Sequence, residues 1–269
     1  MRATCAPPGH PVSSVGIAVA LGAIVITIFI PIPQFYKLCK QRSSAGISCF
    51  TATATVVFSL TNVGAALITK WRQIEQCSVS GLGCMPNLLD LVQSAFVAFL
   101  VAAQLVIVVH YPPNRHKNAR SAAAVVLFTA GVVWISCVCW SIATPCATGT
   151  LGFATALGYV GSFTALVQYV PQLHATWRHQ GSGSLSLLSY ALQTAGGYLL
   201  VYQTVYQGAT PWPVWGPWLI STVMQNAVIA SACFFDARTW RRRRLEVTLL
   251  ADANATAPVR VDGCSRSHG

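Results

Sequence analysis

Acid is what this chain most lacks. Six Asp and Glu residues serve 269 positions, and charged residues of both signs make up only 9%, where a soluble domain carries about 25%. So few charges cannot clothe a water-facing globule of this length, which argues against a soluble enzyme. The apolar segments also lack any cluster of His, Asp and Glu or a Ser–His pairing, so the chain is not expected to be an enzyme and no cofactor is expected. His174 and His179 stand five apart rather than three or four, no cysteine pair has zinc-ligand spacing, and no metal is expected. No lysine follows Lys117, so the last apolar segment cannot form a retinal Schiff base. The Asp-Arg-Tyr and Asn-Pro-x-x-Tyr signatures of seven-helix receptors are missing too. The net charge is +11, but the cations do not form a patch with interleaved aromatics, and nucleic acid is not expected as a partner.

What is abundant is apolar length. The composition is 54% hydrophobic with a mean hydropathy of +0.56. About 20 apolar residues cross a bilayer as a helix. Seven such runs are found, at roughly 14–38, 46–69, 89–111, 121–143, 149–176, 185–206 and 214–235. The expected fold is an all-α polytopic membrane protein, with the first run retained as a helix rather than cleaved as a leader. Lys37, Lys40, Arg42, Arg115, Lys117, Arg120, Arg178 and "RTWRRRR" (238–244) fall on one side of these runs, against Arg2, Lys70 and Arg72 on the other. Positive residues favour the cytosol, which predicts a lumenal N-terminus and a cytosolic C-terminus. Cys5, Cys77, Cys84 and Cys146 then face the side where disulfides persist, and Cys77 and Cys84, in one loop, form a candidate pair.

An internal repeat organises the chain. At an offset of 138, "IPQFYKLCKQRSSAGIS" (32–48) lies over "VPQLHATWRHQGSGSLS" (170–186). Pro33 meets Pro171, Gln34 meets Gln172, Ser44 meets Ser182 and Ser48 meets Ser186. Both copies occupy the cytosolic end of a helix, a short loop and the start of the next helix. A three-helix unit inverts with each copy, and one extra helix restores its direction. The prediction is therefore two parallel three-helix repeats, 13–111 and 145–236, joined by a loop and linker helix over 112–144 (3+1+3). A lumenal tail (1–12) precedes them, and a basic tail (237–269), expected to be disordered, follows.

The paired Pro-Gln motifs, the serine-rich loops and the 3+1+3 plan resemble the PQ-loop repeat transporters, which include cystinosin and the lysosomal or vacuolar amino-acid exporters and are distantly related to the SWEET sugar transporters. The resemblance implies solute transport by alternating access, often in a vacuolar or lysosomal membrane and often coupled to protons.

Each proline removes one helical hydrogen bond and clashes with the carbonyl four residues back. The freed groups must find partners or line a wet cavity. Pro33, Gln34, Pro171 and Gln172 are therefore expected hinge or gate residues, and Pro31 adds a break that the second copy lacks. Polar side chains inside spans mark a solute path or glue neighbouring helices. The path candidates are Asn62, Gln93, Gln193, Tyr190, Gln225 and Asn226, with Gln104 also within a span. The acids of proton-coupled relatives are missing: "FSLTN" places Ser59 where the cationic amino-acid exporters resemble "GDLTN". Asp90 is left as the candidate proton site. The expected solute is a neutral or zwitterionic amino acid or derivative, with a sugar, or a non-transporting cargo receptor or scaffold on the same fold, as alternatives. The lipid bilayer is the remaining partner, with anionic lipid at the basic tail.

Overall fold

Two prolines, a single residue between them, decide where the first membrane helix bends. The structure, a computed structural model, describes residues 14–44, 49–80, 85–112, 114, 117–180, 187–208 and 211–256. Helix α1 (Ser14–Phe29) stops and α2 (Ile32–Gln41) starts with only Ile30 and Pro31 between them. Pro31 and Pro33 lack N–H groups, so the carbonyls of Thr27 and Phe29 lose their usual donors. Helical bonding resumes at once: Ile30 N–H donates to Ile26 O at 3.0 Å and Phe35 N–H to Pro31 O at 2.9 Å. The result is a bend in one span.

The remaining spans are α3 (Cys49–Thr69), α5 (Met85–His110), α6 (Lys117–Ala143), α7 (Thr148–His179), α8 (Leu187–Gly208) and α9 (Trp212–Thr256), with a short helix α4 (Trp71–Ser80) between α3 and α5. No strand occurs among the described residues. With α1 and α2 joined across their bend, six spans are long and apolar enough to cross a membrane by composition. The seventh, α8, has 22 residues, enough length, but dilutes its apolar character by burying Thr194, Gln203 and Thr204. In α7, the single Pro171 lies inside an unbroken helix.

Packing sorts the helices into two like units. In the first, α5 lies against both α1 and α3; in the second, α9 lies against both α8 and α7. The units meet where α3 packs on α7 and where α1 packs on α8, closing a ring of six. The linker α6 stands outside the ring on α3 and α5. Its Cys137 joins a buried cluster with Ala65, Ile68, Ala154 and Leu157, so it also covers the α3–α7 seam.

Two expectations change. In place of a loop after Lys70, α4 forms, with Trp71 Nε1 donating to Glu75 Oε1 one turn on. In place of disorder in the first part of the basic tail, α9 continues to Thr256. The segment "RTWRRRRLEVTLLADANAT" holds no Gly or Pro to stop it. Residues 1–13 and 257–269 lie outside the described residues.

Candidate functional site

A cavity of about 590 Å³ lies inside the ring. Its lining follows the sequence repeat. From the first helix of each unit come Ile30 and Gln168, Pro31 and Tyr169, Pro33 and Pro171, Gln34 and Gln172. From the second come Thr51 and Ser189, Ala52 and Tyr190, Thr55 and Gln193, Phe58 and Gly196, Ser59 and Gly197. Every one of these pairs is separated by the same 138 positions that relate the two Pro-Gln motifs. The third helices contribute Gln93 and Trp218, Val97 and Thr222, Leu100 and Gln225, at an offset of 125. Within each third helix these fall at i, i+4 and i+7, one helical face. Like positions of two copies therefore face one another across one space.

Eight glutamines line this space: 34, 41, 93, 104, 168, 172, 193 and 225. Among the described residues no Asp, Glu, Lys, Arg or His lines it. Its wall sets amides and hydroxyls among a larger apolar surface of aliphatic, proline and aromatic side chains such as Leu38, Val97, Leu100 and Leu200. Phe58 and Trp218 meet edge to face with ring centroids 5.0 Å apart, one ring from each unit. Toward one end the lining runs out to the exposed Gln41 and to Ser43.

The hydrogen bonds have a direction. Gln225 Nε2 donates to Tyr169 Oη at 2.6 Å, leaving the Tyr169 hydroxyl proton for Ser221 Oγ, 3.1 Å away. Thr194 Oγ1 donates to Gln225 Oε1 at 3.2 Å. This chain ties α8, α9 and α7 together. Tyr190 Oη donates to Gln172 Oε1 at 2.8 Å, so one Pro-Gln amide is held by α8. In the first unit Gln93 Nε2 donates to Thr27 Oγ1 at 3.0 Å and approaches Ala23 O at 3.5 Å. Thr27 Oγ1 itself donates to Ala23 O at 2.8 Å.

The structure brings together Pro33, Gln34, Pro171, Gln172, Gln93, Gln104, Gln193, Tyr190 and Gln225. It leaves out two path candidates. Asn62 is buried between α3 and α7, its Nδ2 donating to Phe58 O at 2.6 Å and lying near Gly161. Asn226 faces away from the cavity, its Nδ2 donating to Tyr198 Oη at 2.6 Å. Asp90 does not line the cavity either. Its carboxylate is buried against Lys70 Nζ at 2.5 Å, and Lys70 also donates to Asn87 O at 3.1 Å. Both sequence partners of this ion pair sat at helix ends, and their 20-residue separation hid their contact. Gln168, Tyr169, Ser189 and the Phe58–Trp218 pair are not among the residues that the sequence reading singles out. The repeat offset would have found several of them, because each is the counterpart of a residue near the motif.

At the end opposite Gln41, Cys77 and Cys146 are both disulfide-bonded. Cys84 lies outside the described residues, as does Cys5. Cys39 and Cys49, near the Gln41 end, are free. At that end Ser44 knots two loops, its N–H donating to Pro112 O at 2.7 Å and its Oγ to Tyr111 O at 2.9 Å. Its repeat counterpart Ser182 lies outside the described residues.

Comparison with known proteins gives three results. Residues 153–212 match the model of the PQ loop repeat, so the chain carries such a repeat in its second unit. An uncharacterised protein of Schizosaccharomyces pombe is 24% identical over 263 residues, covering 89% of this chain and 87% of that protein. In fold, the chain is similar to the solved structure of a eukaryotic SWEET transporter, with a TM-score of 0.53 and 8% identity over 83% of this chain and all of that one.

Proposed function

We propose that this chain moves a small solute without net charge across its membrane by alternating access. The cavity wall carries the proposal: matched positions of two repeats enclose about 590 Å³ with a largely apolar wall studded with amides and hydroxyls, and no charged side chain lines it among the described residues. A cationic or anionic solute would have to leave water without a counter-charge, which is costly. A neutral or zwitterionic amino acid or derivative meets amide carbonyls with its ammonium and amide or hydroxyl protons with its carboxylate. The PQ loop repeat and the SWEET-like fold support a transporter. A sugar is the second reading, favoured by the Phe58–Trp218 pair, since aromatic faces suit the C–H faces of a pyranose.

The cavity reaches the end that carries Lys40 and Arg42, so this form faces the cytosol if the charge asymmetry orients the chain. The disulfide-bonded Cys77 and Cys146 at the other end support the same orientation. A vacuolar or lysosomal address rests on the family resemblance. With Asp90 held by Lys70, no lining carboxylate is on hand for a proton among the described residues, and transport is proposed to run without one.

The test is reconstitution in liposomes with uptake of labelled alanine and glucose, with and without a pH gradient. Flux of either solute that is indifferent to the gradient is expected. No flux of any neutral solute would favour a receptor or scaffold on this fold.

A further inference from the structure

Most amide groups around the cavity have partners or reach solvent. Two do not: Gln93 Oε1 and Gln168 Oε1 are buried without a hydrogen-bond partner, and their residues are only 3% and 2% exposed. Both line the cavity, one from each repeat. A buried acceptor left unmet costs about 1–3 kcal/mol, and such groups in a folded protein call for an explanation.

The orientation of Gln93 is set by chemistry. The Thr27 hydroxyl proton is used on Ala23 O, so Thr27 Oγ1 can only accept, and Ala23 O is an acceptor as well. Turning the Gln93 amide over would set its carbonyl against two acceptors. The unmet atom is therefore a true carbonyl oxygen, with its NH2 committed to α1. Gln168 sits beside Tyr169, whose hydroxyl both accepts from Gln225 and has Ser221 to donate to.

We infer that Gln93 and Gln168 are the specificity-determining pair of the cavity: two carbonyl acceptors, one per repeat, that select solutes presenting clustered hydrogen-bond donors. This rests on the transport reading above and deepens it. Two donor groups fit, the ammonium of a zwitterion and the vicinal hydroxyls of a sugar, and both lose the interaction when their protons are replaced by methyl groups. Because Gln93 is bonded to Thr27, which lies just before the Ile30–Pro31 bend, filling its carbonyl also bears on the helix that bends.

The experiment uses the full chain in proteoliposomes and two matched pairs of probes: alanine with N,N,N-trimethylalanine, and glucose with 2,3,4,6-tetra-O-methylglucose. The expected result is that the methylated member of the transported pair competes at least roughly tenfold less well, as for a site built to bond the missing donor. Whichever pair discriminates identifies the donor group. Gln168→Leu should raise the KM for the donor-bearing probe about tenfold with kcat little changed, erase the discrimination, and hold or raise the melting temperature, since it removes an unmet acceptor; a packing role would lower it. Gln93→Leu also loses the Thr27 bond and is read against Gln168→Leu for that reason. Equal competition by methylated and unmethylated probes, with flux intact, would sink the inference and leave the transport reading standing. So would discrimination that survives Gln168→Leu. Absence of flux for alanine and glucose alike would overturn both.

Discussion

The two repeats meet along two seams, and the seams are not alike. Where α3 packs on α7, backbones come close. A Cβ on Gly161 would lie 3.1 Å from Thr61 Oγ1 and 3.3 Å from Asn62 Nδ2, and one on Gly64 would lie 3.2 Å from Leu157 Cδ1. The linker α6 adds Cys137 to that seam, 3.5 Å from the same Gly64 position, and stacks Trp140 on Phe153 with centroids 5.4 Å apart. Where α1 packs on α8, a Cβ on Gly196 would meet Ile30 and Ile26 only at 3.6 and 3.9 Å, ordinary contact. No linker covers this seam, because a chain with one linker helix can brace only one of two symmetric seams. The bend at Ile30–Pro31 falls on this second seam. Pseudo-symmetry in sequence has thus produced one seam covered by the linker and one that carries the bend, and we propose α1–α2 as the moving part.

The strongest challenge to this comparison is to tie the second seam shut. In a background where Cys39, Cys49, Cys137, Cys139 and Cys233, the free cysteines among the described residues, and also Cys264 are replaced, Ile30→Cys with Gly196→Cys, bridged by a short bifunctional thiol reagent, should lower solute flux more than about tenfold, as blocked gates do. The same tether between Gly64→Cys and Leu157→Cys should leave most of the flux. Equal loss from both tethers would mean that both seams move.

Next in size is the clamp that holds the rest of the first repeat still. Lys70 and Asp90 join α3 to α5 in a buried pair. Lys70→Met leaves the carboxylate buried alone and should cost about 3–5 kcal/mol, whereas replacing both partners with apolar residues should be far milder. Thermal melting in detergent measures both. A single variant as stable as the parent would show the pair to be solvated and the α3–α5 unit to be free of this clamp.

The prolines sharpen the comparison further. Two prolines bend the first helix of repeat one, and a single proline leaves α7 continuous. Restoring one backbone hydrogen bond is worth about 1 kcal/mol, enough to shift a two-state equilibrium roughly fivefold. Pro31→Ala with Pro33→Ala should therefore slow flux several-fold at nearly constant melting temperature. Pro171→Ala should slow it less, since α7 is braced on both sides. The reverse order would move the working hinge to α7.

How much of this was legible beforehand can be argued from particular residues. The Pro-Gln pairs, the repeat offset and the seven apolar runs came from local pattern, and local pattern is what a sequence displays. Extending the offset past the motif would also have named Gln168 and Tyr169, as partners of Ile30 and Pro31. Which candidates face the cavity was not legible, for a different reason. Asn62 and Gln93 are both lone amides in apolar helices, and which face turns inward depends on the neighbours that each helix acquires. Asn62 turned to α7, while Gln93 turned to the cavity and was caught by Thr27. Asp90 looked like a free acid because its partner lay 20 residues away beyond α4. The long α9 was obscured by its arginines, which read as a solvated tail although nothing in the stretch stops a helix.

The last test addresses the packing difference itself. Gly161→Val would press its Cβ and methyls onto Thr61 and Asn62 of the braced seam, where Asn62 is already held by Phe58 O and cannot give way without losing that bond. Overpacking of this kind costs about 1–3 kcal/mol. Gly196→Ala places one methyl in ordinary contact with two flexible isoleucine termini, and gains helix propensity of about 1 kcal/mol over glycine. It should leave the melting temperature unchanged or raise it slightly, while narrowing the gap through which α1 moves. Denaturation of the two variants side by side separates the seams: a loss at Gly161 with none at Gly196 is what one braced and one mobile seam require, and equal losses would show the two to be packed alike.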